Sequence, residues 1–111
     1  MPKKSGRPVP PELSAWLTER LQLMESQVAE ITEYESDDEA EWCLYALDRL
    51  ANLEALSFRM NRLLTKYTVD KRLARPATIA KLTNVHQSSV MSRASSEPAR
   101  QAWREIWPEK T

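Results

Sequence analysis

The sequence predicts an all-α protein organised around a long antiparallel helical hairpin, and three observations carry that prediction. Apolar residues recur at alternating spacings of three and four along two long stretches, the period of a packed helix seam. Only one Gly occurs in 111 residues, which leaves little room for a fold of many tight turns or for a glycine-rich phosphate loop. Prolines stand where helices open, at Pro10–Pro11, Pro76 and Pro98.

Pro10–Pro11 suits a first helical turn, so the first helix starts there and runs to about Tyr34. Leu17, Leu21, Met24, Val28 and Ile31 form its seam, and Leu13 and Trp16 widen it. Glu12, Glu19, Glu25, Glu30 and Glu33 keep the other faces wet. The run from Tyr34 to Asp38 breaks the pattern, and Ser36 or Asp37 can cap the next helix, whose positive end suits the acids around it. The second helix spans about Asp38 to Lys66 or Tyr67. Ala46, Leu50, Leu53, Ser57, Met60, Leu64 and Tyr67 form its seam, flanked by Trp42, Leu47, Leu56 and Leu63.

A short linker makes these helices antiparallel neighbours. Two helices with stripes this wide cannot bury them alone. A homodimer is the expected completion, a four-helix bundle with Leu17, Leu21, Met24, Val28, Leu50, Leu53 and Met60 in its interface. The alternative is packing on the C-terminal part of the same chain. The organisation is then a flexible basic arm over 1–9, a dimerisation hairpin over 10–67 and a C-terminal module over 68–111.

Sixteen Lys and Arg balance sixteen Asp and Glu, but the neutrality is a cancellation. Residues 8–41 hold ten acids against Arg20 alone, whereas the window from Arg59 to Arg104 holds ten bases and two acids. Such segregation favours an anionic partner for the basic half, and a basic partner protein for the acidic first helix.

The basic half contains the string Arg75-Pro76-Ala77-Thr78-Ile79-Ala80-Lys81-Leu82-Thr83-Asn84-Val85-His86-Gln87-Ser88-Ser89-Val90-Met91-Ser92-Arg93-Ala94. Pro76 opens a helix, Ile79 and Ala80 face inward, and Asn84 tolerates a left-handed turn. Val85 plugs the core and Val90 anchors the following helix. Over these roughly 20 residues the chain resembles the helix-turn-helix of bacterial repressors, the Lac repressor type especially. It departs from that pattern at Asn84, where the family usually has Gly, and at Thr83 and Met91. The resemblance implies a C-terminal helix-turn-helix whose 86–94 helix enters the major groove of double-stranded DNA. Gln87, Ser88, Ser89, Ser92 and His86 would then meet base edges, and Lys71, Arg72, Arg75, Lys81 and Arg93 phosphates.

A closing helix runs from Glu97 to Trp107, capped by Ser95 or Ser96. Ala99, Ala102, Trp103, Ile106 and Trp107 share one stripe, and the two tryptophans are expected to close the helix-turn-helix core. Between hairpin and module, 68–75 holds a short helix or a bend. In the arm, Gly6-Arg7-Pro8 resembles an AT-hook core, which implies minor-groove contacts from Lys3, Lys4 and Arg7. Ser5 stands where a full hook has another Arg.

Little in the sequence points to catalysis. The single Cys makes no intrachain disulfide, and one Cys with one His makes no zinc cluster. Cys43 is expected to be a packed thiol, and His86 has no nucleophilic partner in the pattern. The acids Asp37, Asp38, Glu39 and Glu41 lack the glycine and spacing of a calcium loop. No cofactor, metal or membrane span is expected, since no apolar run approaches about 20 residues. The expectation is a cytoplasmic, nucleoid-associated homodimeric repressor that occupies a palindromic operator and is not an enzyme. Two alternatives remain open. One is a DNA-packaging or plasmid-segregation adaptor, small-terminase-like or centromere-binding. The other is a helical interaction module that does not bind DNA.

Overall fold

The computed structural model describes residues 8–109. The described chain is all-helical: α1 (Pro11–Glu33), α2 (Glu39–Asp70), α3 (Pro76–Thr83), α4 (Gln87–Ala94) and α5 (Glu97–Ile106). Lys3, Lys4 and Arg7 of the basic arm lie outside the described residues.

Pro11 occupies the first turn of α1, where its missing N–H leaves no bond unmade. Asp38 caps α2 by accepting from the Ala40 N–H, while its own N–H reaches the Ser36 hydroxyl. The cap therefore falls one residue after Asp37, and Ser36 supports it from outside. α2 runs three residues past Tyr67, the farthest end the apolar pattern predicts, and spans about 48 Å at 1.5 Å per residue, most of the molecule's 54 Å long dimension.

α1 and α2 run antiparallel. At the tip, between the α1 C-terminus and the α2 N-terminus, Arg49 pairs with Glu30 and lies over the Tyr45 ring, which stacks on Tyr34 at 3.8 Å. At the base, Leu13 and Trp16 of α1 bury themselves with Met60 and Leu63 of α2 and Ala102 of α5. Leu17, Met24, Leu56, Tyr67, Trp103, Ile106 and Trp107 pack around that cluster. Two indoles fasten the joint between α1 and α5 in opposite directions. Trp16 Nε1 donates to Glu105 and Trp107 Nε1 donates to Glu12.

This base corrects three sequence expectations. Trp103 and Trp107 belong to the hairpin core and stack around Tyr67, so α5 closes the hairpin and not the α3–α4 pair. Met60 is buried within the chain, and Leu17 and Met24 pack on the same core, so intrachain contacts already occupy these three positions of the expected dimer seam. Leu21, Val28 and Leu50 are exposed and Leu53 half-buried. Cys43 is exposed on α2, because the face it shares with Leu47 has no covering element.

α3 and α4 form a second, smaller cluster from Ile79, Ala80 and Val90, with Val69, Ala74 and Val85 packed against it. Val69 belongs to α2, which ties the pair to the end of the hairpin. α4 lies across the C-terminal third of α2. The sequence pattern predicted one left-handed turn at Asn84, and the chain makes two, with φ of 55° at Arg72 and 59° at Asn84. Each ends a helix in the same way. Leu73 N–H reaches the Thr68 carbonyl after α2, and Val85 N–H reaches the Ala80 carbonyl after α3.

Candidate nucleic-acid interface

α4 has one buried side and one free side. Val90 and Ala94 anchor it, and at 100° per residue Ser88 and Ser92 fall on the opposite arc while Met91 lies on the flank, about 80° from the buried direction; all three are exposed. Gln87 and His86 are exposed at the N-terminal end, and His86 supplies the N-cap backbone without a side-chain capping bond. Ser89 is half-buried on the flank. The side chains expected at bases therefore share one end and one face, except Ser89, which points partly inward.

The cations divide into two groups. Lys71, Arg72, Arg75 and Lys81 are exposed along the bend after α2 and on α3. Arg72 and Arg75 line a shallow pocket of about 470 Å³ together with Leu73 and Met91, which places them beside the Met91 flank of α4. Lys71 lies near the Tyr67 ring, its ammonium 5.9 Å from the centroid. Arg93 sits differently. It is half-buried on the opposite flank of α4, facing α2, where it lines a groove with Phe58 and Arg62. Arg62 lies 4.0 Å over the Phe58 ring and donates to Asn61. Burial and the nearby Arg93 charge pull the Arg62 pKa below its ordinary value. Arg93 is thus turned away from the face it was expected to serve, because Val90 and Ala94 fix the rotation of α4 on the chain.

Met91 is the residue that sequence reasoning passed over on this face. It stood out only as an unusual occupant of the repressor-like pattern, and the structure leaves it half exposed on the flank of α4 next to Ser88. Leu82 of α3, four-fifths exposed, is a second apolar residue left in the open there. Helical rotation puts Met91 on the flank of Val90, whereas Leu82, three residues after the buried Ile79, shares its side by spacing and is exposed nonetheless.

The ion pairs among the described residues do not involve Arg72, Arg75, Lys81 or Arg93. By contrast, Arg100 and Arg104 both pair with Glu97, and hydrogen bonds from these two hold the Glu97 carboxyl below the usual carboxylate range. Among the described residues no group of three or more His, Cys, Asp or Glu is arranged to hold a metal ion. No described helix is long and apolar enough to cross a membrane. No family model, curated protein or solved structure matches the chain.

Proposed function

We propose that the chain is a sequence-specific DNA-binding protein that acts as a homodimeric transcriptional repressor, with α3 and α4 as a helix-turn-helix and α4 as the reading helix. One observation carries the reading: Met91, on the exposed flank of α4, lines a pocket with Arg72 and Arg75, neither of which has an acidic partner among the described residues, and the exposed Ser88 and Ser92 stand on the adjoining arc of the same helix. A reading helix needs donors at base edges and cations at the flanking phosphates. Ser88, Ser92 and Gln87 supply the donors, and Met91 offers an apolar surface to a thymine methyl group. Arg72, Arg75 and Lys81 supply the cations, joined by Lys71.

The backbone at Arg72 adds weight. An arginine in the left-handed region costs on the order of 1 kcal/mol where glycine would cost little, and the position that the capping bonds of α2 hold there carries an exposed guanidinium. Arg93 leaves the phosphate set because it faces α2. The protein binds and positions, and its place of action is the nucleoid in the cytoplasm.

The test is retardation of DNA from upstream of the protein's own coding region, titrated across salt. Each phosphate neutralised adds about 0.9 to the slope of log affinity on log salt. Arg75→Ala with Lys81→Ala should lower that slope by about 2 and weaken binding on all sequences alike. Ser88→Ala should instead relax preference at one base position. Absence of binding at low salt, or a slope untouched by the double substitution, sinks the reading.

A further inference from the structure

α2 keeps an apolar stripe that no other element among the described residues covers. Leu44, Leu47, Ala51, Ala55 and Phe58 fall within about 40° of one direction on the helix, all exposed, with Leu44 at 67% and Leu47 at 61%. This is not the side that packs on α1. The same direction, continued toward the C-terminus, reaches Arg62, Thr65 and Val69, where α4 lies over the helix. The uncovered stretch therefore begins at the α2 N-terminus and stops at α4.

Charge marks its two ends. The tip carries Glu35, Asp37, Asp38, Glu39 and Glu41, and no base lies between Tyr34 and Glu41. The other end carries Arg62 and Arg93, two guanidinium groups close enough to repel in a groove whose one acidic lining residue, Glu54, lies two turns back toward its middle. An isolated chain thus holds like charges together at each end of an apolar strip, acids at one end and arginines at the other. Turning a second copy end for end places opposite charges together at both ends at once.

We infer that two copies of this chain meet along the outer face of α2, antiparallel about a two-fold axis near Ala51, each acidic tip closing on Arg62 and Arg93 of the partner subunit. The inference rests on the proposed function only for the number of copies and replaces the seam expected from the sequence with a different face. The register follows from the helix rise. Ala40 and Arg62 each lie eleven residues from Ala51, about 16 Å to either side. With Ala51 on the axis, Leu44 falls opposite Phe58 of the partner subunit and Leu47 opposite Ala55 of the partner subunit. Asp38, Glu39 and Glu41 then stand within a turn of Arg62 of the partner subunit. The small side chains at Ala51 and Ala55 let the backbones approach at the centre, and the larger ones close the gap toward the ends. The partner's α2 begins where α4 would block it, so the uncovered face has the length that one antiparallel copy needs.

The experiment uses the full chain without DNA, in light scattering and sedimentation across micromolar concentrations. Wild type should run as a dimer. Leu47→Arg should raise the dimer dissociation constant on the order of a hundredfold, since the two-fold counts each substitution twice. Its circular dichroism should stay that of wild type, because Leu47 touches no core of its own chain. Ala51→Cys in a Cys43→Ser background should oxidise to a covalent dimer, and Ala77→Cys in the same background should not. Arg62→Glu should weaken the dimer several-fold, and adding Glu39→Arg should restore it. A monomer at these concentrations overturns the inference, as does a dimer indifferent to Leu47→Arg or one that crosslinks at Ala77 and not at Ala51. A dimer that fails to retard DNA at low salt defeats the DNA reading alone, and a monomer that binds DNA defeats this inference and the homodimer of the proposed function while leaving DNA binding standing.

Discussion

The base of the hairpin and its tip are built from the same α2 helix and carry the same kind of apolar stripe, yet the chain treats them differently. At the base, α1, α4 and α5 surround α2, and Met60, Leu63 and Thr65 disappear from solvent. Toward the tip only α1 is present. Leu44, Leu47, Leu50 and Phe58 stay open, and the two helices are held by a tyrosine stack and by Arg49 on Glu30. Periodicity reports that a face is apolar. It does not report what covers that face, and here one period is covered by the chain's own helices at one end and left open at the other.

The largest effect should come from breaking the base. Leu63 is fully buried, so Leu63→Ala should cost about 3 kcal/mol in chemical denaturation, combining lost transfer energy with an unfilled cavity. Leu47→Ala, on the same helix, should leave the stability of the isolated chain within about 0.5 kcal/mol, measured at dilution. If the two substitutions cost alike, the tip is packed in a way the fold does not contain, and the contrast collapses.

That contrast also explains what the sequence revealed. The five helices were legible, because Pro11, Pro76 and Pro98 open three of them and the spacing of apolar residues outlines the long pair. The left-handed turn at Asn84 was legible because Asn has a short polar side chain that tolerates it. The turn at Arg72 was not, since arginine carries no such signal and the bonds that fix it come from Thr68 and Val69 carbonyls after the helix has formed. The partner of α5 was hidden for a related reason. Trp103 and Trp107 announce a core without naming it, and only the path of the chain brings them to Tyr67 in place of Ile79 and Val90. The site suffered likewise at Arg93, because a basic residue in the sequence has no direction until α4 is rotated onto its buried side.

A smaller effect should sharpen the boundary between the two regions, which α4 defines by lying across α2. The turn into α4 needs a left-handed residue at position 84. Asn84→Ala should cost about 1 kcal/mol, and Asn84→Gly should cost little or nothing. Amide exchange should show the Asn84→Ala loss in α3 and α4, with the hairpin helices protected as in wild type. Loss spread evenly over all five helices would mean that base and module unfold as one, and that the division drawn at α4 has no energetic counterpart.

The smallest effect separates base from tip by pH. Glu105 is partly desolvated at the α1–α5 joint, which by itself would raise its pKa. Bonds from Arg59 and from the Trp16 indole outweigh that, and the Arg59 and Arg20 charges add to them, so the carboxyl titrates below its ordinary value of 4.5. A carboxylate lowered on folding stabilises the fold at pH values above its unfolded pKa. That contribution is lost as pH falls below the ordinary value of 4.5 and through the lowered folded one. Glu105 remains 42% exposed, so solvent screens the ion pairs, and Glu105→Gln should cost only about 0.5 kcal/mol at neutral pH. The amide can still accept from Trp16, so the loss falls on the two arginines. Wild type should therefore lose stability more steeply than the variant on acidification, and the two curves should converge at low pH. Exchange at α5 should carry the difference while the tip, held by Tyr34 on Tyr45, changes alike in both. Parallel curves would show that the joint draws nothing from this charge, leaving burial of Trp16 and Ala102 to hold α5 on the base.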